Sequence, residues 1–228
     1  MSGTGGKLVI VGDRVFAEVA HEHFEADSDY EVVAFSVEQE HLRSSSFRGL
    51  PMIPFERLHE EVDPASHSVF AAVTYGQLNR LRTRLADSAA ARGFELASYV
   101  SSRAFVWRDV RIGEHCFVFD GVTLEPFVSV GRNCVLWSGC GVAHHAAVGE
   151  NVFIAPHAAI SGSVRIGDNC FIGINATLVN DIEVGRDVWI GPGVVITHDV
   201  EERTVWRPAQ GGRRDVSSLE LFGVQPDR

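Results

Sequence analysis

The chain has 228 residues, 45% of them hydrophobic, and a formal net charge of −10. That length carries one large or two small domains with a real core, and the acidic balance argues against nucleic acid or an anionic membrane as partner. No apolar run reaches the ~18 residues of a membrane span, and the start, "MSGTGGKLVIVG", lacks the layout of a signal peptide, so a cytoplasmic protein is expected.

In chain order, "KLVIVG" (Lys7–Gly12) has the pattern of a buried strand ending in glycine, and Val15–Asp27 that of a helix. Tyr30–Phe35 and Ser68–Thr74 follow as strands, Gly76–Gly93 as a helix, and "ELASYV" (Glu95–Val100) leads onward. Alternating strands and helices predict a small α/β domain with a parallel, Rossmann-like sheet over residues 1–99. The turn "VGDRVFAE" keeps one glycine of the dinucleotide fingerprint, which makes an NAD site improbable. Ligands of such sheets bind at the carboxyl ends of the strands, here Gly12, Asp13, Arg14, Phe35, Thr74 and Tyr75. Arg14 suits a phosphate there, and suits a solvated loop as well.

From Val100 every sixth residue through Ile196 is Val, Ile or Leu, and two places before each, from Ala104, stands a small or β-branched apolar residue. Two inward positions and then a gap of four describe a short strand and a turn, repeated as the hexapeptides of a β-helix. Glycine recurs every eighteen residues at Gly113, Gly131, Gly149, Gly167 and Gly185, followed two places later by His115, Asn133, Asn151, Asn169 and Asp187. Three hexapeptides therefore make one triangular coil, with a corner of residue types that tolerate left-handed backbone. The prism is expected from about Val100 to about His198, taken as 100–200, with 201–228 as a C-terminal tail.

Cys116, Cys134, Cys140 and Cys170 all fall on the small inward position, which fits core filler; stacked Cys116 and Cys134 leave a disulfide conceivable. His144 and His145, in "VAHHAAVGEN", fall at a corner and outside the inward set, as His115, His157 and His198 do at or near theirs. They are thus corner residues without a role, or a reactive pair.

The two-part layout, with "VAHHAAVGENVFIAPHAAISGSVRIGDNCFIGINATLVNDIEVG" and "WIGPGVVITHDV", resembles the bacterial sugar acyltransferases that include nucleotide-aminosugar N-acetyltransferases and the sialic acid O-acetyltransferase group. The resemblance implies a left-handed β-helix, a homotrimer, acetyl-CoA bound in clefts between prisms, and transfer to an amino or hydroxyl group of a nucleotide-linked sugar. It places the general base on His144 and puts His145 where relatives often carry an acid. By the same matching Gly162 supplies an amide to the thioester oxygen, and Phe153, Ile174 and Pro192 line the pantetheine path. An imidazole of pKa about 6.5 suits proton removal near neutrality, but needs an orienting group, and His145 is the candidate.

This chain departs from the resemblance at Asp13–Phe16 and at Ser36–Glu38, changes expected to fill or recharge a nucleotide pocket. Arg203, Arg207, Arg213 and Arg214 either face CoA phosphates or are solvated. Two other readings compete. One is a zinc hydratase of the γ-type carbonic anhydrase kind, which needs three imidazoles on one ion, whereas no metal is expected here. The other is a non-catalytic module that uses the prism only to trimerise.

Overall fold

The structure is a computed structural model that describes residues 6–209. The N-terminal domain runs β1 (Lys7–Val11), α1 (Val15–Asp27), β2 (Glu31–Val37), β3 (Ser46–Phe47), β4 (Leu50–Pro54), α2 (Leu58–Glu61), β5 (His67–Ala71), α3 (Arg80–Ala91) and β6 (Glu95–Leu96). The strand order is β3-β4-β2-β1-β5-β6, parallel except for the pairing of β3 with β4. Leu8 to Val11 are buried without alternation, as a central strand covered on both faces requires. The pair β3–β4 and α2 are additions to the sequence expectation; Pro51 and Pro54 lack the N–H of a strand residue and disguise β4. Helix α3 starts later than Gly76, because Gln77, Leu78 and Asn79 take φ of 55°, 50° and 64°, which an α-helix cannot include.

From Tyr99 the chain winds in two-residue strands, one every six residues, from β7 (Tyr99–Val100) through β23 (Val195–Ile196), with β24 (Val205–Trp206) after them. They stack in parallel as sheets of seven, six and five strands, the three faces of a prism. The first face holds β7, the second begins at β8 (Phe105–Val106) and the third at β9 (Arg111–Ile112). Residues eighteen apart are paired, as Phe117 is with Val135. The inward aliphatic positions from Val118 to Ile196 are all buried, whereas Val100, on the terminal coil, is 40% exposed because its face ends there.

The corner residues His115, Asn133, Asn151, Asn169 and Asp187 have φ between 56° and 60°, the left-handed conformation anticipated for them. All four cysteines are free thiols. Cys116, Cys134 and Cys170 donate to the carbonyls of Gly131, Gly149 and Gly185 at 3.2, 3.1 and 3.1 Å, so these inward thiols also satisfy corner oxygens. The boundary at 201 needs correction: Val205–Trp206 pairs with β22 (Trp189–Ile190) and extends the first face by another strand.

The N-terminal domain docks on the first face. Phe16, Phe24 and Phe70 pack against Tyr99, Phe117, Phe119 and Trp137, with Phe119 and Trp137 stacked at 4.0 Å. Beside this aromatic layer lies a buried polar lock. Arg82 on α3, fully buried, donates to the carbonyls of Ala71, Asn133 and His115 at 3.0, 2.9 and 2.9 Å and to the Asn133 side chain. Asp27, at the end of α1, accepts from the Tyr99 hydroxyl at 2.8 Å and the Ser102 amide at 2.9 Å. These bonds fix the two domains together and leave the corner between the second and third faces, opposite the docked face, clear of the N-terminal domain.

Candidate active site

That clear corner carries His144 and His145, between β14 (Gly141–Val142) on the second face and β15 (Ala147–Val148) on the third. His145 takes the left-handed turn position, φ 62°, and its amide donates to Pro126 O at 3.1 Å. The His144 amide donates to a Glu125 carboxylate oxygen at 2.9 Å, which anchors the backbone from the coil before. Both imidazoles are exposed, and their Nδ1 atoms face each other at 3.2 Å. One Nδ1 must donate and the other accept. Among the described residues Nε2 of His144 has no hydrogen-bond partner. With the shared proton on Nδ1 of His144, its Nε2 keeps a lone pair and can take a proton from a ligand.

Gly162 stands one coil along, and its smallness is enforced. A Cβ there would lie 2.6 Å from Cε1 and 2.9 Å from Nε2 of His144, so any side chain would displace the ring. The Gly162 carbonyl accepts from Asp181, whereas among the described residues its N–H has no acceptor. A free amide beside a free imidazole nitrogen is the pairing that acyl transfer requires. The side chain that contacts the His144 ring is thus His145, whereas Glu125 holds the main chain. Glu125 was not anticipated from sequence, although its place eighteen residues before Ala143 puts it on the coil beneath this corner.

The remaining expected residues divide. Ile174 and Pro192 are exposed and stack eighteen residues apart on the corner between the first and second faces. They and the His144 corner therefore border the same second face, from its two sides. Phe153 departs from expectation: it is 3% exposed on the first face, stacked on Phe171 at 5.6 Å and covered by Tyr75 at 5.1 Å. Within one chain it lines the interdomain contact, opposite the His144 corner.

In the N-terminal domain a cavity of about 270 Å³ is bounded by Val11, Gly12, Asp13, Arg14, Val37, Glu38, His41, Arg43, Val73, Leu81 and Leu85. Gly12 is required at the end of β1, since its φ is 141° and a Cβ would lie 2.8 Å from Ala72 O. Helix α1 opens at Val15 with no side-chain cap, which leaves positive first-turn amides beside Gly12, Asp13 and Arg14. Glu38 is held bidentately by Arg84 at 2.7 and 2.9 Å, and that guanidinium keeps its carboxyl below the usual carboxylate range. Neither Thr74 nor Tyr75 lines the cavity, and Tyr75 turns onto Phe153 and Phe171. Phe16 does not fill the cavity either; it is buried against the prism aromatics. The lining residues His41 and Arg43 were not singled out in the sequence because they follow β2 in an irregular segment without a motif.

Among the described residues the donor atoms of Glu38, Glu40 and His41 lie within 4.8 Å of one another, and Glu38 is already engaged by Arg84. His144 and His145 are engaged with each other. Among the described residues no helix is long and apolar enough to cross a membrane. Arg203 forms an ion pair with Glu202 at 3.5 Å and Arg207 is exposed, whereas Arg213 and Arg214 lie outside the described residues.

The bacterial transferase hexapeptide (six repeats) pattern matches residues 109–144 and 145–180, and the hexapeptide repeat of succinyl-transferase matches 163–198. Among solved structures, the acetyltransferase domain of PglB from Neisseria gonorrhoeae FA1090 is similar at 25% identity and a TM-score of 0.79, over 88% of this chain and 96% of that one. Hexapeptide-repeat patterns thus cover residues 109–198, and over nearly its whole length the chain is similar to an acetyltransferase of this repeat fold. PerB from Caulobacter crescentus, in complex with CoA and GDP-perosamine, is similar to this chain at 26% identity and a TM-score of 0.77, over 90% and 95% of the chains. That perosamine N-acetyltransferase has also been solved with one histidine changed to alanine or to asparagine. WeeI from Acinetobacter baumannii AYE shares the fold at 19% identity and a TM-score of 0.61, over 87% and 94% of the chains. No curated protein matches the sequence.

Proposed function

We propose that this acetyltransferase moves an acetyl group from acetyl-CoA to an amine or hydroxyl of a nucleotide-linked sugar, with His144 as general base. The observation that carries the reading is the Nε2 of His144 set against the N–H of Gly162 at an exposed corner, both unpartnered among the described residues. The acceptor's amine or hydroxyl attacks the thioester carbonyl as Nε2 removes its proton. The carbonyl oxygen gains charge and accepts the Gly162 N–H; the carbon–sulfur bond then breaks, and the thiolate takes the proton from His144. Proton and acetyl group both balance, and no metal takes part. His145 accepts the Nδ1 proton of His144 and sets the tautomer. A neutral imidazole stabilises the transient imidazolium less than a carboxylate does, which is the cost of this substitution.

The acceptor reading rests on the cavity at the end of β1. Its apolar walls, Val11, Val37, Val73, Leu81 and Leu85, suit a flat base, and Arg14, Arg43 and the α1 amides suit phosphates. Similarity to a structure holding CoA and GDP-perosamine supports the same class of ligand. The cavity belongs to the domain on the first face, whereas His144 stands at the opposite corner. A complete site therefore needs the prism of a second copy. The exposed large apolar residues Phe105, Trp107, Ile174 and Val195 lie on the second face or its bordering corners, as an assembly seam requires, and they support a homotrimer.

The test is a panel of nucleotide amino- and hydroxy-sugars incubated with acetyl-CoA and followed by release of free thiol. The reading expects thiol release with at least one nucleotide sugar, abolished in His144→Ala. Release that persists in that variant removes His144 as base, and release with no member of the panel rejects the acceptor class.

A further inference from the structure

We infer that Phe127 is a positioning residue for acyl transfer, holding His145 so that its Nδ1 faces the His144 ring. The inference rests on His144 serving as base. Phe127 sits one coil before His145 on the same corner, eighteen residues earlier. Its φ is 68°, left-handed, at a turn position that neighbouring coils fill with His145, Ser163 and Asp181. An aromatic side chain is a steric outlier there, and outliers that persist mark sites where function maintains them.

Core burial does not explain this one, since Phe127 is 60% exposed. Among the described residues its one aromatic contact is His145, with ring centroids 4.6 Å apart and planes inclined by 37°. The turn is fixed independently of the ring, by an Asp109 carboxylate oxygen that accepts the Phe127 amide at 3.1 Å.

The contact answers a problem that a carboxylate at position 145 would not have. A carboxylate presents an acceptor whichever way it rotates, whereas a half-turn of an exposed imidazole replaces Nδ1 by a carbon. Phe127, lying along one side of His145, fixes the plane of the ring, and of the two orientations in that plane the hydrogen bond to His144 selects the one that presents Nδ1. The Nδ1 contact at 3.2 Å then persists, the proton stays on Nδ1 of His144, and Nε2 remains the basic nitrogen.

The experiment is a double-mutant cycle on the full-length protein with acetyl-CoA and its acceptor. Phe127→Ala is expected to lower kcat about tenfold with KM for both substrates unchanged, and Phe127→Tyr, which keeps the ring, to restore it. His145→Ala is expected to abolish the effect, so the double variant turns over as slowly as His145→Ala alone. Wild-type turnover in Phe127→Ala overturns the inference. So do losses that multiply in the double variant, or a change in oligomer size by sedimentation, since both assign Phe127 a role apart from His145. His144→Ala is the control that separates the two readings. If it stays active, the base assignment itself is lost; if it is inactive while Phe127→Ala is normal, only the positioning role is lost.

Discussion

Two corners of the same prism each carry a histidine, and their surroundings give them opposite properties. His115 lies at the corner between the third and first faces, fully buried beneath β5 and α3. Its Nε2 accepts from the Ala71 amide at 2.9 Å and its Nδ1 donates to Asn133 at 2.7 Å. Burial first, and then the Arg82 charge, hold its pKa well below the ordinary value. Both nitrogens are committed and the ring stays neutral. His144, at an exposed corner, commits one nitrogen and leaves the other open. Similar turns made at the same period thus yield a structural joint where a domain covers the corner and a reactive group where none does.

The largest expected effect falls on the buried joint. Among the described residues Arg82 has no carboxylate partner; burial lowers its pKa to about 10, so it remains charged at neutral pH. Arg82→Ala strands several buried carbonyls and should cost about 3–5 kcal/mol of stability, read as a fall in the midpoint of denaturant unfolding. A midpoint unchanged within error removes the lock from the account. On the exposed corner, His144→Ala should cut turnover roughly a hundredfold or more while acetyl-CoA binding by calorimetry stays nearly intact. Weakened binding with normal turnover would reverse that assignment.

Gly162→Ala tests the packing of the exposed ring. A methyl group 2.6 Å from Cε1 must push His144 aside, and a misplaced base should cost roughly tenfold or more in kcat with little loss of stability. Equal activity would show that the ring does not work from this position. The smallest effect is in pH. His115 has a depressed pKa, so the unfolded chain takes up its proton near 6.5 while the folded chain does not; stability is full above that pH and declines as pH falls below it. Asp27, lowered to about 2 chiefly by its Ser102 hydrogen bond, adds a second decline between about 3.8 and 2. His115→Asn should flatten the first decline and leave the second. A decline near pH 6 that survives the substitution would have to come from another group.

The contrast between the corners was only half legible in the sequence. A period of six with a superimposed period of eighteen fixes which side chains point inward, so the cysteines read as core and His144 as a corner residue with Gly162 one coil along. Period carries no information on what covers a face. The sequence therefore reads Phe153 and Tyr75 as ligand contacts, whereas within one chain they pack on each other between the domains, and it reads Phe16 as filling a cavity that the ring does not enter. Glu125 and Phe127 gave no signal, because their roles arise only when successive coils bring them beside His144 and His145. His41 and Arg43 escape for a similar reason: they follow β2 in a short 3-10 turn and loop that no spacing rule describes.

If the cavity of one chain serves the His144 of another, two inactive variants should repair each other. Co-expression of His144→Ala with a chain disabled in its cavity, such as Gly12→Leu, yields mixed assemblies in which some sites combine an intact cavity with an intact His144. In a cyclic trimer every mixed assembly, two chains of one variant and one of the other, holds one such site in three, so the account predicts recovery to about a third of wild-type turnover in doubly tagged, purified assemblies. Mixed assemblies as inactive as either parent would show that each chain uses its own histidine, and would contradict the shared site.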